Sequence, residues 1–297
     1  MNLHHLKIFL AVAETGNFSK AAEILHISQP AVSVQVKKLE EELGIPLLEH
    51  IGKTVHLTQA GLFLRDNARH LFRQADEIEE QLAQFRGITT GTLRLGASTT
   101  PGTYLLPFHL PVFQARFPKV NLLLQLGNTR AIQADLANNS VDLALLGDDE
   151  LPVPELITEK LIDDELVLIG ASNHPLAGTA PAKWEDVINY PFVFRETGSN
   201  TREVFDHWVQ EQGLLRPRGT ELTNTEAIKR LIASGQALGV VSYMAVSWEI
   251  AAGRLAPIPL AGFNLHRTFR LAQHKDKKPT PLLLEFKRFL LETLAQN

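Results

Sequence analysis

Between Phe18 and Gly44 the apolar positions fall into two short helical patterns separated by two residues. The first carries Phe18, Ala21, Ala22 and Leu25, the i, i+3, i+4, i+7 spacing of one helix face, after Gly16 or Asn17 as a cap. His26 and Ile27 form the connection. Ser28 then predicts the N-cap of a second helix, with Pro30 in its first turn, where a missing N–H costs nothing. On a wheel of about 100° per residue, Val32, Val36, Leu39 and Leu43 share an inward face. Pro30, Ser33, Val34 and Lys37 point the other way, with Gln29 at the N-terminal tip. Gly44 ends the helix and Pro46 prevents its resuming.

Two such helices have the form of a helix-turn-helix, whose second helix enters a DNA major groove. The outward set suits that role. Amide and hydroxyl groups can meet base edges, Val34 a thymine methyl, and Lys37 a phosphate. After it, Ile51-Gly52-Lys53-Thr54-Val55-His56-Leu57 predicts a small wing of extended pieces, with Lys53 at the tip. From Thr58 to Phe85 there is no proline, and Leu64, Ala68, Leu71, Ala75, Ile78, Leu82 and Phe85 recur with alternating spacings of four and three. That heptad seam predicts two helices wound together as a coiled-coil dimer. At 1.5 Å per residue the seam spans roughly 30 Å. A two-fold pair of reading heads predicts a pseudo-palindromic operator in double-stranded DNA. Gly87 and Gly91 make a hinge to the rest of the chain.

Beyond residue 91 apolar β-rich runs alternate with helical patterns. Leu93–Ala97, Val120–Leu126, Leu143–Leu146, Val167–Gly170, Phe192–Phe194 and Gly239–Val241 read as buried strands. Helices are expected over Tyr104–Arg116, Ala131–Asn138, Arg202–Gln212 and Thr225–Ser234. Such alternation predicts parallel sheets covered by helices, with ligands beyond the carboxyl ends of the strands. There stand Ser98-Thr99-Thr100, Gly127-Asn128-Thr129-Arg130, Gly147-Asp148, and the loop from Arg195 to Arg202. Any one of these is explained by helix capping. The hydroxyl triplet together with an arginine-rich loop points instead to a site for a small anion, with Arg195 and Arg202 as the candidate charges.

Composition narrows the picture. The chain has 297 residues and a net charge of -4. In residues 1–58, Lys7, Lys20, Lys37, Lys38 and Lys53 face Glu14, Glu23, Glu40, Glu41, Glu42 and Glu49, so no basic patch announces nucleic acid. Few phosphates are neutralised per reading head, and affinity must come from having two of them. There is no cysteine, which excludes thiol redox switching, disulfides and thiolate zinc sites. No apolar run is long enough to span a membrane and no signal-peptide pattern opens the chain, so a cytoplasmic protein is expected. G-x-S-x-G, G-x-x-x-x-G-K-[ST], G-x-G-x-x-G and H-E-x-x-H are all absent. Asp148-Asp149-Glu150 reads as solvated loop and Asp163-Asp164-Glu165 as hinge rather than metal site. No enzyme activity, metal or cofactor is expected.

The string SQPAVSVQVKKLEEELG, followed by IPLLEH, GKTVHLTQAG and a long helix, resembles the N-terminal domain of LysR-type transcriptional regulators from Leu3 to about Gly61. One departure is Leu47-Leu48-Glu49-His50, where the family usually has Phe and Arg. The Arg would be a phosphate contact, and His50 stands in its place. GTLRLGASTTPGTYLLP, DLALLG and FRETGSNTR resemble the same family's effector domain, two α/β lobes of periplasmic-binding-protein type. The resemblance implies a winged helix-turn-helix over 1–58, a dimerisation helix and hinge over 59–90, and an effector-binding domain over 91–297. Its first lobe would be 91–162 plus 265–297 and its second 163–264, with chain crossings near Ile162–Glu165 and Gly262–His266. It places the effector between Ser98, Thr99, Thr100, Asn128 and Thr129 on one side and Arg195, Asn200, Thr201 and Arg202 on the other. It also implies dimers that pair into tetramers, with RNA polymerase as the further partner such a regulator addresses. The segment QVKKLEEELGIPLLEHIGK is closest in character to members controlling carbon-fixation or sulfur-assimilation genes, which implies a phosphorylated sugar or small organic acid as effector. The competing reading, a solute-binding protein that never touches DNA, leaves the reading helices and the seam without use.

Overall fold

Asn2 opens helix α1 (Leu3–Thr15), its side chain accepting the His4 amide at 2.8 Å. Helices α2 (Phe18–Leu25) and α3 (Gln29–Leu43) follow. Asn17 caps α2 through the Ser19 and Lys20 amides at 2.8 and 3.1 Å, and Ser28 caps α3 through the Ala31 amide at 3.4 Å. Caps of this kind are worth about 1 kcal/mol each. Between them His26 takes the left-handed conformation, at φ 55°. The His26 amide donates to the Glu23 carbonyl and the Ile27 amide to that of Ala22, closing the helix end in a Schellman-like turn. Val32, Val36 and Leu39 are buried against Leu6, Phe9, Val12, Ala21 and Ala22, and Leu43 packs at the margin. The inward face of α3 is the one its periodicity predicts.

The structure, a computed structural model, describes residues 2–51, 54–84, 90–147, 153–178 and 181–294. Its contacts divide into two units, Met1–Gly87 and Ile88–Asn297. The first unit ends in a hairpin and a long helix. Strands β1 (Leu48–Ile51) and β2 (Thr54–Leu57) pair antiparallel, Leu48 opposite Leu57. The Glu40 carboxylate on α3 accepts the Leu47 and Leu48 amides at 2.7 and 3.1 Å and so fixes the entry to this wing. Lys53, with Gly52 the expected wing tip, lies outside the described residues.

Helix α4 (Gln59–Gln84) begins with Gly61 pressed on the chain before the wing. A Cβ there would fall 2.1 Å from the Leu47 carbonyl oxygen, so the close approach requires glycine. The seam on α4 is not uniform, which corrects the expectation of one continuous interhelical stripe. Ala68 is buried in the unit's own core, with Leu64 and Phe72 packed beside it. Leu71, Ala75, Ile78 and Leu82 are exposed. A heptad pattern records that a face is apolar but not what covers it, and α1 supplies the cover for the first turns. Phe85 lies outside the described residues.

The second unit opens with β3 (Gly91–Ser98), α5 (Thr99–Tyr104), α6 (Leu106–Arg116), β4 (Val120–Gly127), α7 (Thr129–Ala137) and β5 (Leu143–Gly147). The helix expected over Tyr104–Arg116 is α6, which starts at Leu106, and a separate short helix, α5, precedes it across a break at Leu105. Pro101 and Pro107 each fit the first turns of a helix, and Leu105 between them adopts φ -114°. Strand β6 (Leu156–Ala171) follows, then α8 (Trp184–Val187), β7 (Phe192–Arg195), α9 (Asn200–Glu211), β8 (Gly219–Leu222), α10 (Thr225–Ala233), β9 (Gly239–Ser242), α11 (Tyr243–Ala251), β10 (Leu255–Pro257), β11 (Leu265–His274) and α12 (Pro281–Leu294).

The main sheet runs β10-β6-β11-β5-β3-β4, with β9 also on β6, and it is mixed rather than parallel. Only β3, β4 and β5 are mutually parallel, while β11 runs antiparallel to both β5 and β6, and β9 and β10 antiparallel to β6. The Val167–Gly170 run proves to be the apolar end of a 16-residue strand whose first half is mixed in polarity and mostly exposed. Strands β6 and β11 are the two crossings between lobes. Leu161, Ile162 and Leu271 join one core with β3, β5, α6 and α12. Leu166 and Leu265 join a second core with Trp184, Phe192, Phe205 and Trp208. The chain changes lobes between these residues, at Asp163–Glu165 and His266–Arg270.

Candidate functional site

Two threonines at the end of β3 meet two arginines from other parts of the unit. Arg195 leaves the end of β7, and its Nη2 donates to Thr99 Oγ1 at 3.1 Å. Arg267, on the crossing strand β11, donates through Nη2 to Thr100 Oγ1, also at 3.1 Å. Successive hydroxyls of the first lobe are therefore each held by a different guanidinium.

Arg267 reaches this point because it occupies the inward phase of β11, between buried Leu265 and Phe269. Asp164 occupies the same phase of β6, ahead of buried Leu166 and Leu168. The two strands pair in a register that sets Arg267 opposite Asp164. Arg267 Nε donates to Asp164 Oδ2 at 2.8 Å, and Ser242 donates to Asp164 Oδ1 at 2.6 Å. Arg267 Nη1 donates to Thr201 Oγ1 at 2.9 Å and to Asn200 Oδ1 at 3.3 Å, both on the first turn of α9. Burial pushes the Arg267 guanidinium down from the ordinary arginine value, opposed by the charge and hydrogen bond of Asp164. At the same seam Gly147 closes β5 on Asn200. A Cβ on Gly147 would lie 2.4 Å from Asn200 Oδ1, so the lobes meet there only because no side chain intervenes.

Arg195 is buried too. Its Nη1 donates to Thr225 Oγ1 at 3.1 Å, and its Nε and Nη2 hold Glu196 Oε2 and Oε1 at 2.9 and 3.0 Å. Burial pushes the Glu196 carboxyl up, but the hydrogen bonds and charge of Arg195 outweigh it and hold the group below its ordinary value. Close by, Tyr104 donates to Glu226 Oε1 across the lobes at 2.5 Å. The buried Lys229 ammonium contacts Glu226 and Glu249 at 2.7 and 2.9 Å. Burial first, and then Glu226, push the Tyr104 hydroxyl strongly upward, so it stays a donor.

The other sequence-derived candidates divide. Ser98, Thr129, Asn200 and Thr201 are buried at the same seam. Asn128 caps α7 through the Ala131 amide and also hydrogen-bonds Glu196. Neither Ser98 nor Ser199 uses its hydroxyl to cap the helix that follows. Arg202 is placed differently from expectation. Its guanidinium is turned to Asp206 at 3.2 Å, to Glu221 and to the Arg195 carbonyl, and its charge is already neutralised. The i, i+4 spacing to Asp206 is visible in the chain, whereas Glu221 arrives only through β8. Arg267 escaped the sequence reading and Asp164 was read only as part of the Asp163-Asp164-Glu165 hinge, although a charged residue on the apolar phase of a strand is a legible signal. Glu196 and Thr225 carried none.

In the first unit Gln29, Pro30, Ser33, Val34 and Lys37 are all exposed along one side of α3. Lys37 shares that side with Glu41, whose carboxylate lies 3.9 Å from its ammonium. Glu14 and Glu42 are engaged elsewhere, by Arg69 and His5.

The architecture has counterparts among known proteins. Residues 3–62 match the family described as bacterial regulatory helix-turn-helix protein, lysR family, and residues 86–295 match the LysR substrate binding domain. The RuBisCO operon transcriptional regulator of Allochromatium vinosum is 35% identical over 296 residues, covering 100% of this chain and 97% of that protein. The transcriptional activator CmpR of a Synechocystis strain is 34% identical, over 93% of this chain and 90% of its own. Among solved structures, full-length OxyR of Pseudomonas aeruginosa superimposes with a TM-score of 0.73 at 26% identity, covering 99% of this chain and 95% of that one. The regulatory domain of Synechocystis CcmR in complex with 2-PG gives 0.64 at 27% identity, over 69% of this chain and 98% of that domain.

Proposed function

We propose, for a chain that belongs to the LysR family of helix-turn-helix transcriptional regulators, that a small anionic metabolite binds between the lobes at Arg195 and Arg267 and so controls how a dimer engages its operator. The protein is a regulator with an effector-binding domain and not an enzyme. The proposal concerns which residues carry each task. Residues 1–58 read DNA through Gln29, Pro30, Ser33, Val34 and Lys37, with Lys53 on the wing. Residues 59–90 join two copies through Leu71, Ala75, Ile78 and Leu82, continuing to Phe85, while Leu64 and Ala68 support the reading head. Residues 91–297 bind effector through Ser98, Thr99, Thr100, Asn128, Thr129, Arg195, Asn200 and Thr201, with Arg267 in the charge role first given to Arg202.

The observation that carries this is the pairing of Thr99 with Arg195 and Thr100 with Arg267 across the lobes. An anion at that point would gain hydroxyl and guanidinium donors from both lobes at once, which favours one lobe arrangement over others. Binding at the carbon-fixation end of the metabolite range fits the relatives, and 2-PG in the CcmR domain supplies a probe.

The test is thermal stabilisation by 2-PG, inorganic phosphate and small dicarboxylates. A ligand of the native state at a hundred times its Kd adds about 2.7 kcal/mol. The wild-type melting temperature should rise with at least one of these anions. Arg195→Lys and Arg267→Lys, which keep charge but lose the planar fork, should abolish the rise. A rise that persists in both variants places the effector elsewhere.

A further inference from the structure

Among the described residues, two guanidinium–carboxylate pairs with a buried arginine stand at the lobe seam, and they are held with very different firmness. Arg267 and Asp164 are closed off, their side chains 4% and 2% exposed, with Asp164 bound on both oxygens by Arg267 and Ser242. Arg195 and Glu196 form a pair open on one side. The arginine is 4% exposed but its carboxylate partner 13%, and Glu196 leads directly into exposed Thr197.

The geometry of the open pair is that of a bound ligand. Both Glu196 oxygens lie side-on against Nε and Nη2 of Arg195, at 2.9 and 3.0 Å. That is the fork through which arginine grips a free carboxylate or phosphate. The carboxylate also meets Asn128 on the opposite lobe. Just beyond it, the Gly198 carbonyl accepts the Arg130 amide of that lobe at 3.2 Å. Arg195 spends a further donor on each of Thr99 and Thr225, so four of its five N–H groups are engaged.

Resting on the anion-site reading above, we propose that Glu196 is an internal stand-in for the effector, filling the anion seat of Arg195 until the effector's own anionic group displaces it. Simple addition would set two carboxylate-like groups of the same charge against one guanidinium. Displacement keeps Arg195 paired and releases Glu196 toward the solvent it already touches. Because Glu196 is tethered, it competes at a high effective concentration. A singly charged ligand offers Arg195 nothing that Glu196 does not already supply. A dianion that reaches Thr100 and Arg267 as well gains contacts Glu196 cannot make. The internal carboxylate therefore acts as a specificity filter for doubly charged metabolites, and its release frees the Asn128 side of the seam.

The full-length protein is titrated calorimetrically with inorganic phosphate and with acetate, as small dianionic and monoanionic probes. Glu196→Gln retains a hydrogen-bonding partner for Arg195 and Asn128 but removes the competing charge. It should bind phosphate about tenfold more tightly than wild type, the scale of one charge-assisted hydrogen bond, and should admit acetate, which wild type excludes. Glu196→Ser, smaller and neutral, should shift in the same direction, and a cooperative melting transition without probe checks that each variant is folded. Unchanged or weaker phosphate binding in both variants overturns the stand-in role. If Arg195→Lys nevertheless loses phosphate binding, the anion site survives that result. If neither probe binds wild type or the Glu196 variants, the anion site and the stand-in fail together.

Discussion

A charged side chain on the inward phase of an apolar strand costs several kcal/mol unless its partner is already in place. Arg267 and Asp164 satisfy that condition on adjacent strands, and Thr100, Asn200, Thr201 and Ser242 take their remaining donors and acceptors. Removing one partner leaves the other charge buried alone. Asp164→Asn is expected to destabilise the second unit by about 3–5 kcal/mol, read as a lowered unfolding transition. The double variant Asp164→Leu with Arg267→Met should recover most of that loss, because an apolar pair carries no desolvation cost. Failure of the double variant to recover would mean that the hydrogen bonds, and not the charges, hold the seam. At this scale the sequence was partly legible. The Ser98-Thr99-Thr100 triplet and Arg195 stand at the seam as their pattern suggests. Arg202 is engaged instead by Asp206 and Glu221, and the second of these is 19 residues away in the chain.

Helices tell a similar story with a different boundary. The caps of α2 and α3 and the inward face of α3 follow from local rules, since capping and periodicity act within one or two turns. The seam of α4 does not, because its first turns serve the core of the reading head and its later turns present apolar residues to the surface. Substitutions in the two halves should therefore separate. Leu64→Ala should lower the stability of the first unit by about 1–3 kcal/mol through a partly filled cavity. Ile78→Glu with Leu82→Glu should leave that stability unchanged and, on the proposal that α4 joins two copies, shift the sedimentation coefficient from that of a dimer to that of a monomer. A double variant that stays dimeric would place the self-association surface off α4.

For the whole molecule, charge limits what the reading heads can do alone. With a net charge of -4, and on the proposal that Lys37 and Lys53 are the phosphate contacts, each protomer would neutralise about two phosphates. The logarithm of DNA affinity against that of salt should then fall with a slope of about -2 per protomer and about -4 per dimer. Fluorescence anisotropy across a salt series measures it. A slope steeper than about -6 would require basic contacts beyond those assigned here.

What the sequence determined on its own is whatever depends on neighbours within a few residues. That covers the reading helix and its outward face, the apolar stripe of α4, the alternation of strands and helices after residue 91, and the hydroxyl cluster following β3. The tertiary structure alone decided the rest. It showed that the main sheet is mixed because β6 and β11 cross between lobes in opposite directions. It also showed that this same pairing sets Asp164 against Arg267 and brings Arg267 to Thr100, and that the core of the first unit takes in Leu64 and Ala68 and leaves Ile78 and Leu82 bare. Each of these is a contact between residues tens of positions apart or more. Periodicity carries no information about such contacts, since it records that a face must be covered and leaves the partner to the fold.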